Sequence, residues 1–259
     1  MKTVILCGGF GTRIRDVSSD VPKPMIRVGD RPILWHLMRH YAHFGHREFI
    51  LCLGHQGDVI KDFFLNYRAR TSTLTVDFAR DGAVSYHAGE PDIDWSVTLV
   101  DTGHGTMTGG RVRRIAPWVR GERFMLTYGD GLSDVDLGAL VAFHERQGTV
   151  ATVTGVRPPG RFGELVSSAD GRASEFNEKP QATGGLISGG FFVLEPAFFD
   201  HLDARDDLVL EEQPMRSLVA AKQLSVFQHD GFWQCMDTHR DWTLLNQLAE
   251  RGTPPWKVW

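Results

Sequence analysis

The chain has 259 residues, 42% hydrophobic and 23% charged, which is the balance of a folded globular protein able to bury a sizeable core. Its 28 Lys and Arg stand against 32 Asp and Glu, a net charge of −4, so no global basic field attracts nucleic acid or anionic lipid, and any phosphate recognition must be local. Cys7, Cys52 and Cys235 lie far apart, form no CxxC pair and sit in apolar or aromatic sequence, which argues against a disulfide framework or a zinc site and for a reducing cytoplasm.

Residues 3–7 form an apolar run stopped by Gly8 and Gly9, the pattern of a buried strand feeding a loop. Residues 32–44 carry Ile33, Leu34, Leu37, Met38 and Tyr41 at helical spacing, with Pro32 at the start and Gly45 at the end. Residues 49–53 repeat the strand pattern up to Gly54, which completes a β-loop-α-β unit. Helical spacing returns over 59–67, and residues 71–95 read as a hairpin-like excursion. Residues 97–100 and 124–127 are further strands, and 135–146 is a helix for which Ser133 and Asp136 suggest a capping box. Beyond residue 149 come shorter strand-like pieces at 150–156, 163–167 and 191–194, then helical patterns at 211–221 and 242–251. Strands alternating with helices predict an α/β fold, a Rossmann-like mostly parallel sheet flanked by helices. The change of rhythm at 149 suggests a smaller lobe laid against the first within one domain, 1–148 and 149–259. No apolar run approaches the roughly 18 to 20 residues of a membrane helix, and no secretory signal is expected.

The loop Gly8-Gly9-Phe10-Gly11-Thr12-Arg13, followed by Pro22-Lys23-Pro24, sets glycine amides and two cations after the first strand. Glycines let backbone N–H groups approach a phosphate closely, and Arg and Lys bring fixed charge, so the pattern suits a polyphosphate. The alternative is a tight turn without a ligand. It is not a P-loop, and Ile14 stands where a dinucleotide fingerprint needs its third glycine. His36, His40 and His43 share a helix but form no H-E-x-x-H and read as packing or surface residues. Asp130, between Gly129 and Gly131 after the 124–127 strand, lies where open α/β sheets bind ligands. Asp237 follows in a remote Met-Asp-Thr stretch that can return to the same cleft; taken singly, either Asp is as readily a turn residue.

GGFGTR with PKP resembles the signature of the sugar-1-phosphate nucleotidyltransferases. PILWH at 32–36, VTLVDTG at 97–103, MTGGR at 107–111, TYGDG at 127–131, PPGRFG at 158–163, NEKP at 177–180, GGFFVL at 189–194, GFWQ-x-MDT-x-RD at 231–241 and PWK-x-W at 255–259 resemble the cytidylyl branch that acts on glucose 1-phosphate. The resemblance spans essentially the whole chain. It implies Mg²⁺-assisted, in-line attack of a sugar phosphate on the α-phosphorus of CTP, releasing pyrophosphate and forming CDP-glucose for deoxysugar synthesis. It implies a nucleotide site of Leu6, Gly8, Gly9, Gly11, Thr12, Arg13, Lys23, Thr106, Arg111 and Gly129, although Arg111 also reads as a solvated helix start. Arg13 and Lys23 are the implied catalytic cations, and Asp130 and Asp237 the metal ligands. Gly163, Glu178, Lys179, Ser188, Gly189 and Trp233 are the implied sugar-phosphate residues. The family forms homo-oligomers, for which 71–95 and the Trp-bearing tail are candidate contacts; neither nucleic acid nor membrane is an expected partner.

Three departures stand out. Ser188 occupies a position where the branch usually has Asn, residues 208–214 lack an expected Trp, and Cys7 replaces a small Ala as a packing residue. The first two leave the accepted sugar open. A nucleotide-sugar sensor without turnover and an NAD-dependent oxidoreductase remain as rival readings.

Overall fold

The computed structural model of the chain describes residues 1–11, 14, 17, 20–89, 93–119, 121–158, 164–167, 173–177 and 185–259. In chain order, β1 (Lys2–Leu6), β2 (Arg27–Val28), β3 (Arg31–Pro32), α1 (Ile33–His43), β4 (Glu48–Leu53), α2 (Gly57–Leu65) and α3 (Tyr67–Thr71) come first. Next are β5 (Ser72–Asp77), β6 (Ala83–Gly89), β7 (Ser96–Asp101), α4 (Thr108–Arg114), α5 (Ala116–Val119), β8 (Phe124–Tyr128), β9 (Gly131–Ser133) and α6 (Leu137–Gln147). The rest comprises β10 (Ala151–Val156), β11 (Glu164–Ser167), β12 (Ala173–Asn177), β13 (Ile187–Leu194), α7 (Gln213–Ala220), β14 (Leu224–His229), β15 (Trp233–Cys235) and α8 (His239–Glu250).

Among the described residues, seven strands form one sheet in the order β14-β10-β13-β8-β1-β4-β7. β1 runs parallel to β4 and β8, β4 to β7, and β10 to β14, while β13 is antiparallel to both its neighbours. The sheet is thus mostly parallel, and its strands are near-continuous apolar runs because both faces are covered. Alternation divides the core. Ile5, Phe49 and Leu51 face one side with Ile33, Leu37 and Tyr41 of α1 and Leu245 of α8, whereas Val4, Leu6 and Ile50 face the other with Val112 of α4 and Leu218 of α7. The expected β-loop-α-β unit is β1-α1-β4. Strands on either side of residue 149 share the seven-stranded sheet, and beyond 149 β13 enters it antiparallel while β11 and β12 pair separately as a two-stranded sheet.

Two local expectations are corrected. Ser133 is a β9 residue whose hydroxyl donates to Phe232 O at 2.7 Å, so the α6 cap is Asp136 alone, accepting from Ala139 N; the capping box belongs to α8, between Thr238 and Asp241. Trp256 of the tail is 1% exposed and packs on Phe232 in the core, which removes it as a contact with another chain.

The α1 histidines are packing and surface residues, as expected: His36 and His40 are buried and His43 is exposed. His40 Nε2 lies 2.9 Å from Val135 O, while its Nδ1 is buried without a partner, so the neutral Nε2–H tautomer fits and a second proton would be unsatisfied. Burial, only partly offset by the Val135 carbonyl, pushes the imidazole down to about 4. Because the folded-state value is depressed, this contribution to stability is complete above about pH 6.5 and is lost as pH falls through about 4; it is worth about 3 kcal/mol. Urea unfolding of wild type and His40→Gln between pH 4 and 7 is expected to show a shallower acid loss in the variant.

Candidate active site

The carboxyl ends of β1, β4, β7 and β8 open onto one cleft, as the parallel arrangement requires. Arg111, 4% exposed on α4, organises its floor. Nη1 donates to Leu53 O at 2.9 Å, Thr102 Oγ1 at 2.8 Å and Gly103 O at 2.8 Å, and Nη2 to Gly8 O at 2.9 Å and His104 O at 3.3 Å. One guanidinium therefore ties together the loops after β1, β4 and β7. A Cβ at Gly8 would lie 2.3 Å from the guanidinium carbon and one at Gly54 2.5 Å from Nη1, so both glycines admit the arginine. This overturns the reading of Arg111 as a solvated helix start. Arg111→Lys supplies at most three donors from one point and is expected to cost about 3 kcal/mol, a Tm drop of roughly 6 to 12 °C in a thermal melt.

Asp130 sits in the turn between β8 and β9, whose Gly129 N donates to Leu6 O at 3.1 Å. β9 pairs antiparallel with β15, Gly131 opposite Cys235, and Met236 N donates to Asp130 O at 2.9 Å. That register carries the next residue, Asp237, to the side of Asp130. Asp237 in turn precedes α8, where Asp241 Oδ2 accepts from Asp237 N at 3.1 Å and Thr238 N at 2.9 Å and so sets the turn. The two carboxylates meet on Lys23, which follows Pro22 in a short 3₁₀ turn: Nζ donates to Asp130 Oδ2 at 2.6 Å and also to Asp237 Oδ1. Burial works against the Lys23 charge, but Asp130 and the two hydrogen bonds outweigh it and hold its ammonium above the usual lysine range. Residues 130 and 237, remote in sequence, thus already enclose a cation.

Cys235 stands beside the two carboxylates. Its Sγ and one carboxylate oxygen each from Asp130 and Asp237 lie within 4.8 Å of one another. Apolar and aromatic in its sequence surroundings, it nevertheless faces the carboxylates. Burial, then the Asp130 charge, push its thiol up. Cys7 and Cys52 are buried and free, and burial pushes both thiols up, so Cys7 is the packing residue expected.

A cavity of about 410 Å³ lies over the glycine loop. Leu6, Gly8, Gly9, Gly11, Lys23, Thr106, Arg111, Gly129 and Asp130 all line it. A smaller cavity of about 240 Å³ is lined by Ser188, Gly189, Trp233 and Asp237, with Trp233 Nε1 donating to Gly189 O at 2.8 Å. Asp130 and Tyr128 line both cavities, so the Asp130–Lys23–Asp237 cluster stands at their junction. Thr12, Arg13, Gly163, Glu178 and Lys179 lie outside the described residues. Sequence reasoning missed Phe10, Met107, Tyr128 and Glu211. Tyr128 Oη donates to Glu211 Oε1, and Thr108 Oγ1 donates to Glu211 Oε2 at 2.9 Å, which braces the wall between the cavities. Tyr128 lies in the TYGDG stretch and Phe10 in the GGFGTR loop, motifs from which only glycines, Thr12 and the charged residues were drawn as site candidates.

Residues 2–243 match the family model described as Nucleotidyl transferase. The chain is 46% identical to the glucose-1-phosphate cytidylyltransferase of Salmonella typhi over 100% of both chains, and equally to that of Salmonella typhimurium. Among solved structures, HddC from Yersinia pseudotuberculosis superposes with a TM-score of 0.68 at 20% identity, covering 95% of this chain and 98% of that one, a likeness of fold.

Proposed function

This chain belongs to the glucose-1-phosphate cytidylyltransferase family of nucleotidyl transferases, and from that premise we propose that it transfers the cytidylyl group of CTP to α-D-glucose 1-phosphate. An oxygen of the sugar phosphate attacks the α-phosphorus, a new P–O–P bridge forms, and the α–β bridge breaks with its electron pair leaving on pyrophosphate. CDP-glucose is the other product.

The observation that carries this reading is the meeting of Asp130, Lys23 and Asp237 at the junction of a nucleotide-sized and a sugar-sized cavity. The nucleophile is already an anion, so the protein needs no strong base; it must hold two mutually repelling phosphates in line and neutralise them. Two carboxylates that enclose an ammonium fit Mg²⁺, which takes one or two protein oxygens and fills its other positions with water and phosphate. Such an ion supplies Lewis-acid neutralisation of the α-phosphate. With the carboxylates so occupied, Lys23 would be free to neutralise the reacting phosphate. At about 4 Å and an effective dielectric of about 20, each such charge pair is worth on the order of 4 kcal/mol before desolvation. Arg13 is assigned to the departing β- and γ-phosphates, and Leu6, Gly8, Gly9, Gly11, Thr12, Thr106, Arg111 and Gly129 to the nucleotide. Glu178 and Lys179 are assigned to the hexose and its phosphate, with Gly163, Ser188, Gly189 and Trp233 shaping that pocket. In this division residues 1–148 bind nucleotide and 149–259 sugar phosphate.

One residue favours a second reading, the same transfer to another sugar 1-phosphate. Ser188 lines the smaller cavity with a hydroxyl, which offers fewer hydrogen bonds than an amide. Pyrophosphate release across four nucleoside triphosphates and several sugar 1-phosphates with magnesium tests both: the first reading expects CTP with glucose 1-phosphate to be the best pair. No turnover with any pair would leave the sensor reading. We further propose a homo-oligomer, supported by the β5–β6 hairpin, whose connecting turn exposes Phe78 to 87%, and by Leu65 of α2, exposed to 81%; a lone two-stranded hairpin is marginally stable in water. No helix among the described residues is long and apolar enough to cross a membrane, and the free thiols support a cytoplasmic setting.

A further inference from the structure

We infer that Cys235 is a third ligand in the cation site, so that this protein binds borderline and soft divalent ions such as Zn²⁺, Co²⁺ and Cd²⁺ through a mixed oxygen and sulfur set. The inference rests on the reading of Asp130 and Asp237 as metal ligands. It deepens that reading, because a thiolate adds a preference for softer ions that two oxygens alone give only weakly.

The placement follows from backbone register. Cys235 closes β15 opposite Gly131, the residue after Asp130, and the chain continues extended through Met236 to Asp237. Side chains alternate along such a segment, so residues 235 and 237 share a side. The intervening residue confirms the alternation: Met236 is 0% exposed and belongs to the core, while Cys235 and Asp237 both line the smaller cavity. The three donor atoms lie within 4.8 Å of one another. In a four-coordinate site with metal–oxygen bonds of about 2.0 to 2.2 Å and a metal–sulfur bond of about 2.3 Å, donor atoms are separated by roughly 3.3 to 3.8 Å. A contraction of at most about 1.5 Å would therefore bring the three onto one ion in the place of Lys23.

Metal identity decides whether the sulfur takes part. Mg²⁺ is a hard ion that selects oxygen, so it uses the two carboxylates and leaves the thiol protonated. Zn²⁺, Co²⁺ and Cd²⁺ accept thiolate: the S–H bond breaks, its proton passes to solvent, and a sulfur–metal bond forms without change of oxidation state. Such ions then compete with Mg²⁺ for the same place. The other two cysteines do not compete for this assignment, since Cys7 is 1% and Cys52 0% exposed within the core.

The test is a Co²⁺ titration of the full chain in a phosphine reductant, with stoichiometry from equilibrium dialysis and the near-ultraviolet thiolate-to-cobalt charge-transfer band as readout. The expected result is one bound Co²⁺ per chain with the band present in wild type and absent in Cys235→Ser. Competition titrations are expected to show the preference for Zn²⁺ over Mg²⁺ falling at least about tenfold in that variant, since loss of even an outer-shell partner weakens a metal by that much. Stoichiometric Co²⁺ without the band in wild type, or an unchanged Zn²⁺ to Mg²⁺ preference in the variant, overturns the inference and leaves the carboxylate reading standing. Co²⁺ that fails to bind, or binds equally to Asp130→Asn and Asp237→Asn, overturns both. The wild-type spectrum decides the matter even where the variant does not fold.

Discussion

Asp130→Ala and Asp237→Ala are each expected to lower turnover with CTP and glucose 1-phosphate by about 10³-fold or more, while far-ultraviolet circular dichroism stays unchanged. A loss of that size is about 4 kcal/mol in activation free energy, the same order as one unit charge pair at about 4 Å in a medium of dielectric about 20. The fold should survive because neither carboxylate carries the sheet. Asp130 lies in a turn that the Gly129 and Met236 backbone bonds hold, and the Asp237 turn is set by Asp241. Lys23 retains the other carboxylate as partner in either variant. Added Mg²⁺ at high concentration should restore little activity if the missing group is, as proposed, a ligand and not a shield. Full turnover in either variant would remove the pair from the mechanism.

Lys23→Ala is expected to lower kcat/KM by about 10²-fold, less than either aspartate, because the cation site and Arg13 remain. Its second consequence is opposite in sign. In wild type the ammonium stands between the two carboxylates, so an incoming divalent ion must displace it. Without it the two carboxylates face each other uncompensated, and the variant should bind Mn²⁺ or Mg²⁺ more tightly and show a larger rise of Tm on adding metal. A variant that loses activity and gains metal affinity identifies Lys23 as a charge shared between two positions. Loss of activity with unchanged metal affinity would mean that Lys23 does not occupy the cation's place.

How much of this was legible beforehand depended on the kind of residue. β1, β4 and β8 are uninterrupted apolar runs and α1 has a clear 3.6-residue period, so each was predicted to within a residue or two of its bounds. β9 and β15 span three residues each, too few for any periodicity, yet they bring Asp237 to Asp130. That convergence was anticipated from motif resemblance, with no local pattern to demand it. α4 begins Thr-Gly-Gly, which propensity disfavours; it is held by Gly109 N and Gly110 N donating to Leu208 O and by the burial of Val112. The alternative of Arg111 as a solvated helix start fails because its partners are carbonyls on three remote loops, and backbone acceptors leave no trace in side-chain patterns. The place of Cys235 beside the carboxylates was not legible, because its aromatic neighbours Phe232 and Trp233 say nothing of the side to which strand alternation turns it.

The most direct measurement is a crystal structure with Mn²⁺ and a non-hydrolysable CTP analogue, with the ion located by its anomalous signal. The account predicts one peak bridging Asp130 and Asp237 at about 2.1 Å from each carboxylate, with Lys23 Nζ moved onto phosphate. Nucleotide bound in the larger cavity with Lys23 still between the carboxylates and no peak beside them would contradict it.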